Sequence, residues 1–116
     1  MAAPARPDWF VAVAVAQEVP AGVIKYVDAG GIPIVLCNVE GQVRAVGNLC
    51  THDHGPLSGG TLDGYAIECP RHGARFDVRS GKVLCLPAPL PIPTYPVKVE
   101  DGQIWVKVDG DVIKVK

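Results

Sequence analysis

At 116 residues the chain is long enough for one ordinary hydrophobic core but too short for a second catalytic domain. Eleven basic and twelve acidic residues give a formal net charge of −1, which predicts neither nucleic-acid binding nor attachment to an anionic membrane. No apolar run reaches membrane-spanning length, and Val11 to Ala16 alternates as a strand does rather than forming a signal-peptide core. We therefore expect a single domain over residues 1–116, with a flexible lead at 1–8 and a cytoplasmic location.

From residue 10 onward, short runs rich in β-branched residues are separated by turn sequences, and no convincing helical pattern occurs. Glycine in Pro20-Ala-Gly22, Asp28-Ala-Gly-Gly31 and Glu40-Gly41 supplies the positive φ that hairpin turns require. The pattern predicts an all-β fold, an antiparallel β-sandwich or barrel. The predicted strands are Phe10 to Ala16, Val23 to Val27, Ile32 to Val39, Gln42 to Gly47, Tyr65 to Glu68, Arg75 to Val78, Val97 to Glu100, Gln103 to Val108 and Asp111 to Val115.

Five prolines between Leu86 and Pro96 interrupt this strand pattern. Because proline lacks the backbone donor, the segment can form neither a helix nor a central strand. We predict an extended connection that returns the chain to the main sheet.

Two short clusters of metal-ligating residues form the most specific motif of the chain. Cys50-Thr-His52 and Cys69-Pro-Arg-His72 each place a thiol and an imidazole within one tight loop, and turn residues flank both clusters. Two such loops can close around a structural zinc ion or around a [2Fe-2S] centre in which two histidines replace two cysteines. The spacing alone does not choose between these two groups.

The residues around the predicted ligands resemble a known family, and this resemblance favours the [2Fe-2S] centre over zinc. The stretches Cys50 to Leu57 and Cys69 to Asp77 resemble the paired ligand boxes of Rieske iron-sulfur proteins nearly position for position. The resemblance continues through Ser80-Gly81-Lys-Val and Tyr95-Pro96-Val-Lys-Val and covers the chain from about Ala21 to Val108. It is strongest to the small soluble ferredoxins that supply electrons to ring-hydroxylating dioxygenases and related non-haem oxygenases.

The resemblance implies a ligand set and a fold. Cys50 and Cys69 would bind one iron of a single [2Fe-2S] cluster, and His52 and His72 would bind the outer iron. The cluster-binding β insert of this Rieske fold would span about residues 48–86. Residues Leu86 to Pro89 are the candidate cover over the cluster.

The implied function is that of a soluble electron carrier rather than an enzyme. A flavin-dependent reductase and a terminal oxygenase would dock transiently at the face formed by His52 and His72. A catalytic iron of the chain's own would need two further histidines and a carboxylate, and only His54 is left. The alternatives are the small Rieske-like subunit of a nitrite-reductase-type complex and a structural zinc-binding module.

Departures from the respiratory-complex branch of the family bear on the reduction potential. That branch has a disulfide between the two boxes, and this chain has His54 and Arg71 at the positions of the two cysteines. That branch also has two hydroxyl groups that donate to the cluster and to a ligand sulfur, and this chain has Ala74 and Phe76 at those positions. Without those donors the added electron is less stabilised. The expected potential is therefore near the low end of the Rieske range, on the order of −150 mV.

The remaining reactive or charged residues have simpler interpretations. We interpret Cys37 and Cys85 as small buried hydrophobic residues, since each lies in an apolar run. His54, Arg71 and Arg75 are interpreted as solvated residues near the boxes that can contribute to a docking surface.

Overall fold

The computed structural model describes residues 10–51, 55–71, 73–85 and 90–108, and these form an all-β fold of three antiparallel sheets, which confirms the predicted class. One three-residue 3-10 helix, Ala16–Glu18, accompanies the strands in this part of the chain. The strands are β1 Phe10–Val15, β2 Ile24–Ala29, β3 Ile32–Val39, β4 Gln42–Gly47, β5 Thr61–Asp63, β6 Ala66–Glu68, β7 Arg75–Asp77, β8 Val83–Cys85, β9 Thr94–Tyr95, β10 Val97–Glu100 and β11 Gln103–Lys107.

Two of the sheets form the body of the protein. Their strand orders are β1-β11-β10 and β2-β3-β4-β9. Buried apolar side chains from both sheets, including Ile34, Leu36, Ala45, Ile104 and Val106, form one core. The body is thus a sandwich of two antiparallel sheets.

The third sheet, β5-β6-β7-β8, is called the insert here and lies against the opposite face of β3. Its core includes Val35 and Cys37 from β3 together with Ile67 and Phe76 from the insert. Because successive strand residues face opposite sides, Ile34 and Leu36 join the body core while Val35 and Cys37 join the insert core. The uninterrupted apolar run of β3 follows from burial on both faces.

Two hairpin turns of the body have the geometry that their sequences favour. Glu40 and Gly41 adopt φ of 55° and 91°, and Asp101 and Gly102 adopt φ of 54° and 74°. Positive φ at both central residues is the signature of a type I′ turn, whose twist matches that of the flanking strands.

Several predicted boundaries differ from those in the structure. Strand β1 ends at Val15, where the backbone N–H donates to the side chain of Glu18, and β2 runs to Ala29. Three short strands were not predicted: β5, which follows the glycine-rich loop, β8, which ends the insert, and β9, which lies within the proline-rich connection. Strand β9 occupies a sheet edge beside β4, where neighbouring prolines remove no ladder bond.

The prediction that Cys85 is buried is wrong. Cys85 is exposed because β8 is the edge strand of the insert. The predicted strand Asp111 to Val115 and the lead at 1–8 lie outside the described residues. Among the residues that the structure describes, no helix has the length and apolar character needed to cross a bilayer.

Candidate metal centre

The two predicted cysteine ligands are buried in the same region of the protein. Cys50 is 0% exposed and Cys69 is 1% exposed, and both belong to the insert core. The two predicted histidine ligands, His52 and His72, lie outside the described residues, as does His54. The structure therefore brings the two thiols into one apolar cluster and leaves the imidazole positions as predictions.

Hydrogen bonds fix the described ends of the first ligand loop, residues 50–51 and 55–57. The backbone N–H of Cys50 donates to the carbonyl of Gly55 at 2.7 Å. The side-chain carbonyl of Asn48 accepts from the backbone N–H groups of Leu57 at 2.7 Å and Ser58 at 2.9 Å. Since Leu57 is fully buried, it anchors the loop on the insert core. These bonds satisfy backbone groups that a loop would otherwise leave without partners.

The second ligand loop, residues 69–74, is the connection between β6 and β7. The N–H of Cys69 donates to the carbonyl of Ala74 at 2.8 Å, and the N–H of Gly73 donates to the carbonyl of Cys69 at 3.1 Å. Gly73 has φ of 77°, a conformation that a residue with a β-carbon adopts at a cost. The hairpin thus defines the backbone position of Cys69.

Two glycines allow the first loop and the residues after it to approach the second hairpin closely. A β-carbon on Gly60 would collide with the backbone carbonyl of Glu68. A β-carbon on Gly55 would lie 2.6 Å from Cζ and Nη2 of Arg71. Gly60 therefore requires the absence of a side chain, because its neighbour is backbone, whereas a side chain on Gly55 would displace the end of the Arg71 side chain.

The proline-rich segment is fastened beside the ligand loops. The hydroxyl of Thr51 donates to the carbonyl of Leu90 at 2.6 Å, and the N–H of Ile92 donates to the carbonyl of Gly81 at 2.9 Å. The N–H of Gly47 donates to the carbonyl of Pro93, also at 2.9 Å. The candidate cover, Leu86 to Pro89, lies outside the described residues and stays a prediction, but the segment that follows it is bonded to the first loop, the insert and β4.

Arginines near the second loop are mostly engaged in ion pairs. Arg75 contacts Glu68 at 3.0 Å and Asp63 at 3.2 Å, and the hydrogen bond with Glu68 is the main cause that raises the pKa of Arg75. Arg79 donates to both carboxylate oxygens of Asp77 and thereby lowers the pKa of that carboxyl. Arg75 is therefore a paired residue rather than the solvated docking charge that we expected.

The other two cysteines are poor candidates for ligands. Cys37 is fully buried, and desolvation raises the pKa of its thiol to about 12, so it stays protonated near neutral pH. Cys85 is exposed on the edge of the insert and lies outside the buried cluster that contains Cys50 and Cys69. Cys50 and Cys69 of the ligand boxes therefore stay the predicted thiolate ligands.

The described residues fit a mixed-ligand iron-sulfur group. Two buried thiols from separate loops are surrounded by apolar residues, including Ala74 and Phe76, which are both 0% exposed and carry no hydroxyl. Among the described residues no three His, Cys, Asp or Glu side chains converge, and the imidazoles of His52 and His72 stay the predicted further ligands. With those two imidazoles, the two buried sulfurs would make the donor set of a [2Fe-2S] centre whose two irons have different ligands.

A groove of about 480 Å³ lies away from this centre. It is formed by β4, β9, β10 and the turn after β7, and neither Cys50 nor Cys69 lines it. A site that exchanges electrons needs no substrate cavity, so we assign the groove no part in the chemistry.

Comparison with known proteins identifies close relatives of the chain. Residues 8–96 match the family described as Rieske [2Fe-2S] domain. The ferredoxin component of the naphthalene 1,2-dioxygenase/salicylate 5-hydroxylase systems of Ralstonia sp. is 44% identical over 93 residues, which cover 80% of this chain and 89% of that protein.

Two similar solved structures extend this finding. The ferredoxin of carbazole 1,9a-dioxygenase from Nocardioides aromaticivorans IC177 superposes with a TM-score of 0.82 at 34% identity and covers 86% of this chain and 98% of its own. A chain from a complex of reduced oxygenase and oxidized ferredoxin in carbazole 1,9a-dioxygenase gives a TM-score of 0.80 at 35% identity, with coverages of 86% and 94%.

Proposed function

Because the chain belongs to the Rieske [2Fe-2S] domain family, we propose that it is the ferredoxin component of a multicomponent ring-hydroxylating dioxygenase system. It transfers electrons to the oxygenase and is not itself an enzyme. The observation that supports this function most strongly is the structural superposition on a ferredoxin of such a system, which covers 98% of that ferredoxin.

The cofactor is one Rieske-type [2Fe-2S] cluster, which accepts and donates a single electron when bound. Cys50 and Cys69 would hold the inner iron, in keeping with the burial of both thiols. His52 and His72 would hold the outer iron. Leu57 and Phe76, both fully buried beside the cysteines, exclude water from the inner side of the site.

The residues around the thiols support a low reduction potential. Ala74 and Phe76 place no hydroxyl donor in the shell that contains Cys50 and Cys69. Reduction adds a negative charge that such donors would stabilise, so their absence disfavours the reduced state. We expect a midpoint on the order of −150 mV, which suits a carrier that receives electrons from a flavin.

The partners are a flavin-dependent reductase and a terminal oxygenase, both docking transiently at the face that carries His52 and His72. A similar ferredoxin has been captured in a complex with its oxygenase, which supports such docking here. We propose a reducing cytoplasmic location, in which the thiols of Cys50 and Cys69 stay available to the cluster.

Electron paramagnetic resonance of the anaerobically purified protein, reduced with dithionite, tests the centre directly. We expect a coloured protein that bleaches on reduction and gives a rhombic signal with an average g below that of all-cysteine clusters. A colourless protein that contains zinc and gives no signal would overturn the proposal. Single-turnover electron transfer from the reduced protein to a ring-hydroxylating oxygenase then tests the carrier function.

A further inference from the structure

Arg71 reaches from the second ligand loop to the first. Its side chain leaves the backbone directly before the predicted ligand His72 and ends against Gly55. A β-carbon built on Gly55 would lie 2.6 Å from Cζ, 2.6 Å from Nη2 and 2.9 Å from Nε of Arg71. Because these three atoms are nearly equidistant from one point, the guanidinium group presents its flat face to Gly55.

Gly55 is itself bonded to a predicted ligand residue. Its carbonyl accepts from the backbone N–H of Cys50 at 2.7 Å, so a displacement of Gly55 would disturb the backbone of Cys50. On the other side, Arg71 is separated from Cys69 by Pro70 alone. The contact therefore joins the two loops at the level of the ligands, whereas the contact of Gly60 with Glu68 joins them nearer the strands.

We propose that the Arg71 guanidinium is a non-covalent strap that holds the two ligand loops together and slows the release of the cluster. This proposal rests on the proposed function, since it concerns retention of the same [2Fe-2S] group. Arg71 is a positioning residue: it acts through the backbone of the loops. A planar, weakly hydrated guanidinium can lie flat on a glycine, whereas a compact, strongly hydrated lysine ammonium cannot.

Gly55 offers a test that leaves the charge of Arg71 in place. Gly55 does not have the positive φ that disfavours a side chain, so Gly55→Ala introduces the steric contact without backbone strain. Gly59→Ala is the matched control, because a β-carbon there would lie 3.9 Å from its nearest neighbour, an ordinary contact with Pro70. Arg71→Lys retains the charge and removes the flat group.

The rate of cluster loss from the holo-protein is measured as the decay of visible absorbance in excess EDTA under anaerobic conditions. We expect Arg71→Lys and Gly55→Ala each to accelerate the loss roughly three- to tenfold, which lies within the range by which residues in contact influence each other. The double variant should lose its cluster no faster than the faster single variant, because both changes remove one interaction. Gly59→Ala should match the parent.

A second readout separates the strap from simple electrostatics. Hydrogen exchange at the Cys50 amide should accelerate in Gly55→Ala and in Arg71→Lys, while the midpoint potential of Arg71→Lys stays that of the parent. If Arg71→Lys retains the cluster as long as the parent, or if the two single effects multiply in the double variant, the strap is refuted. Either result would leave the resonance signal of the parent, and hence the proposed function, untouched.

Discussion

The body and the insert differ in what holds them together. Strands β1 to β4 are six to eight residues long, and β3 is joined to β2 and to β4 by six residue pairs each, whereas each strand of the insert has three residues. Its strands pair through only two or three residues each, so its ladders contribute few backbone hydrogen bonds. The insert therefore depends on its shared core with β3 and on close approaches that glycine permits.

Strand β3 connects the two regions. Its residues alternate between the body core and the insert core, so Val35 and Leu36, although neighbours in the chain, stabilise different parts of the protein. A bound cluster would cross-link the first and second ligand loops above this strand. The insert is a meander of consecutive strands, whereas the body also pairs β1 with β11 and β4 with β9, which lie far apart in the sequence.

Removal of a cysteine ligand should have the largest effect and should be confined to the insert. Cys69→Ser should abolish the visible chromophore, because serine cannot supply the thiolate that iron requires. Cys85→Ser should retain it, since Cys85 is exposed on the insert edge. Absorbance and iron content of the purified variants decide the matter, and loss of colour in Cys85→Ser would show that the ligands had been wrongly assigned.

A pair of Gly→Ala substitutions compares the two regions directly. Gly81 in the insert and Gly102 in the body have φ of 80° and 74°, so alanine carries a similar backbone strain of about 1–2 kcal/mol at each. Only Gly81 lies against another backbone, the carbonyl of Ile92, whereas the position at Gly102 is open. Urea unfolding should show Gly81→Ala to be less stable than Gly102→Ala by about 2 kcal/mol or more.

The outcome at Gly102 is the internal reference for that experiment. Equal losses of unfolding free energy in the two variants would mean that the junction between Gly81 and Ile92 adjusts freely. The insert would then be less dependent on this close approach than its geometry indicates.

Burial of Cys37 predicts a pH dependence that originates where the two regions meet. Its pKa is raised from 9.0 to about 12 in the folded protein, so the unfolded chain ionises first as the pH rises. The stabilising contribution is complete below about pH 9 and is lost between pH 9 and 12, at about 1.4 kcal/mol per pH unit. In unfolding experiments between pH 8 and 10.5, the unfolding free energy of Cys37→Ala should fall less steeply with pH than that of the parent. An unchanged slope would show that the Cys37 thiol is not the cause of the pH dependence.

The smallest expected effect concerns the shell of the centre. Phe76→Tyr places a hydroxyl in a fully buried site beside the cysteines. If the hydroxyl donates to a ligand sulfur, a preference of about 1.4 kcal/mol for the reduced state would raise the midpoint potential by about 60 mV. Spectroelectrochemical titration measures this shift. An unchanged midpoint together with a loss of stability would show an unpaired hydroxyl instead.

The sequence by itself determined the class of the fold, the body hairpins and the family. Turn pairs such as Glu40-Gly41 and alternating strands encode local geometry, and their period-two pattern can be interpreted without knowledge of distant contacts. The boxes at Cys50 and Cys69 were equally clear, because ligand spacing within one loop is a local property.

Tertiary structure alone decided the features that depend on distant neighbours. The exposure of Cys85, the ion pairs of Arg75 and the strand β9 each follow from which element lies alongside. The contact of Arg71 with Gly55 joins residues from different loops, and neither residue type signals it. The sequence pattern indicates the local structure that a segment can adopt. Which distant residue each side chain contacts depends on the packing of the whole fold.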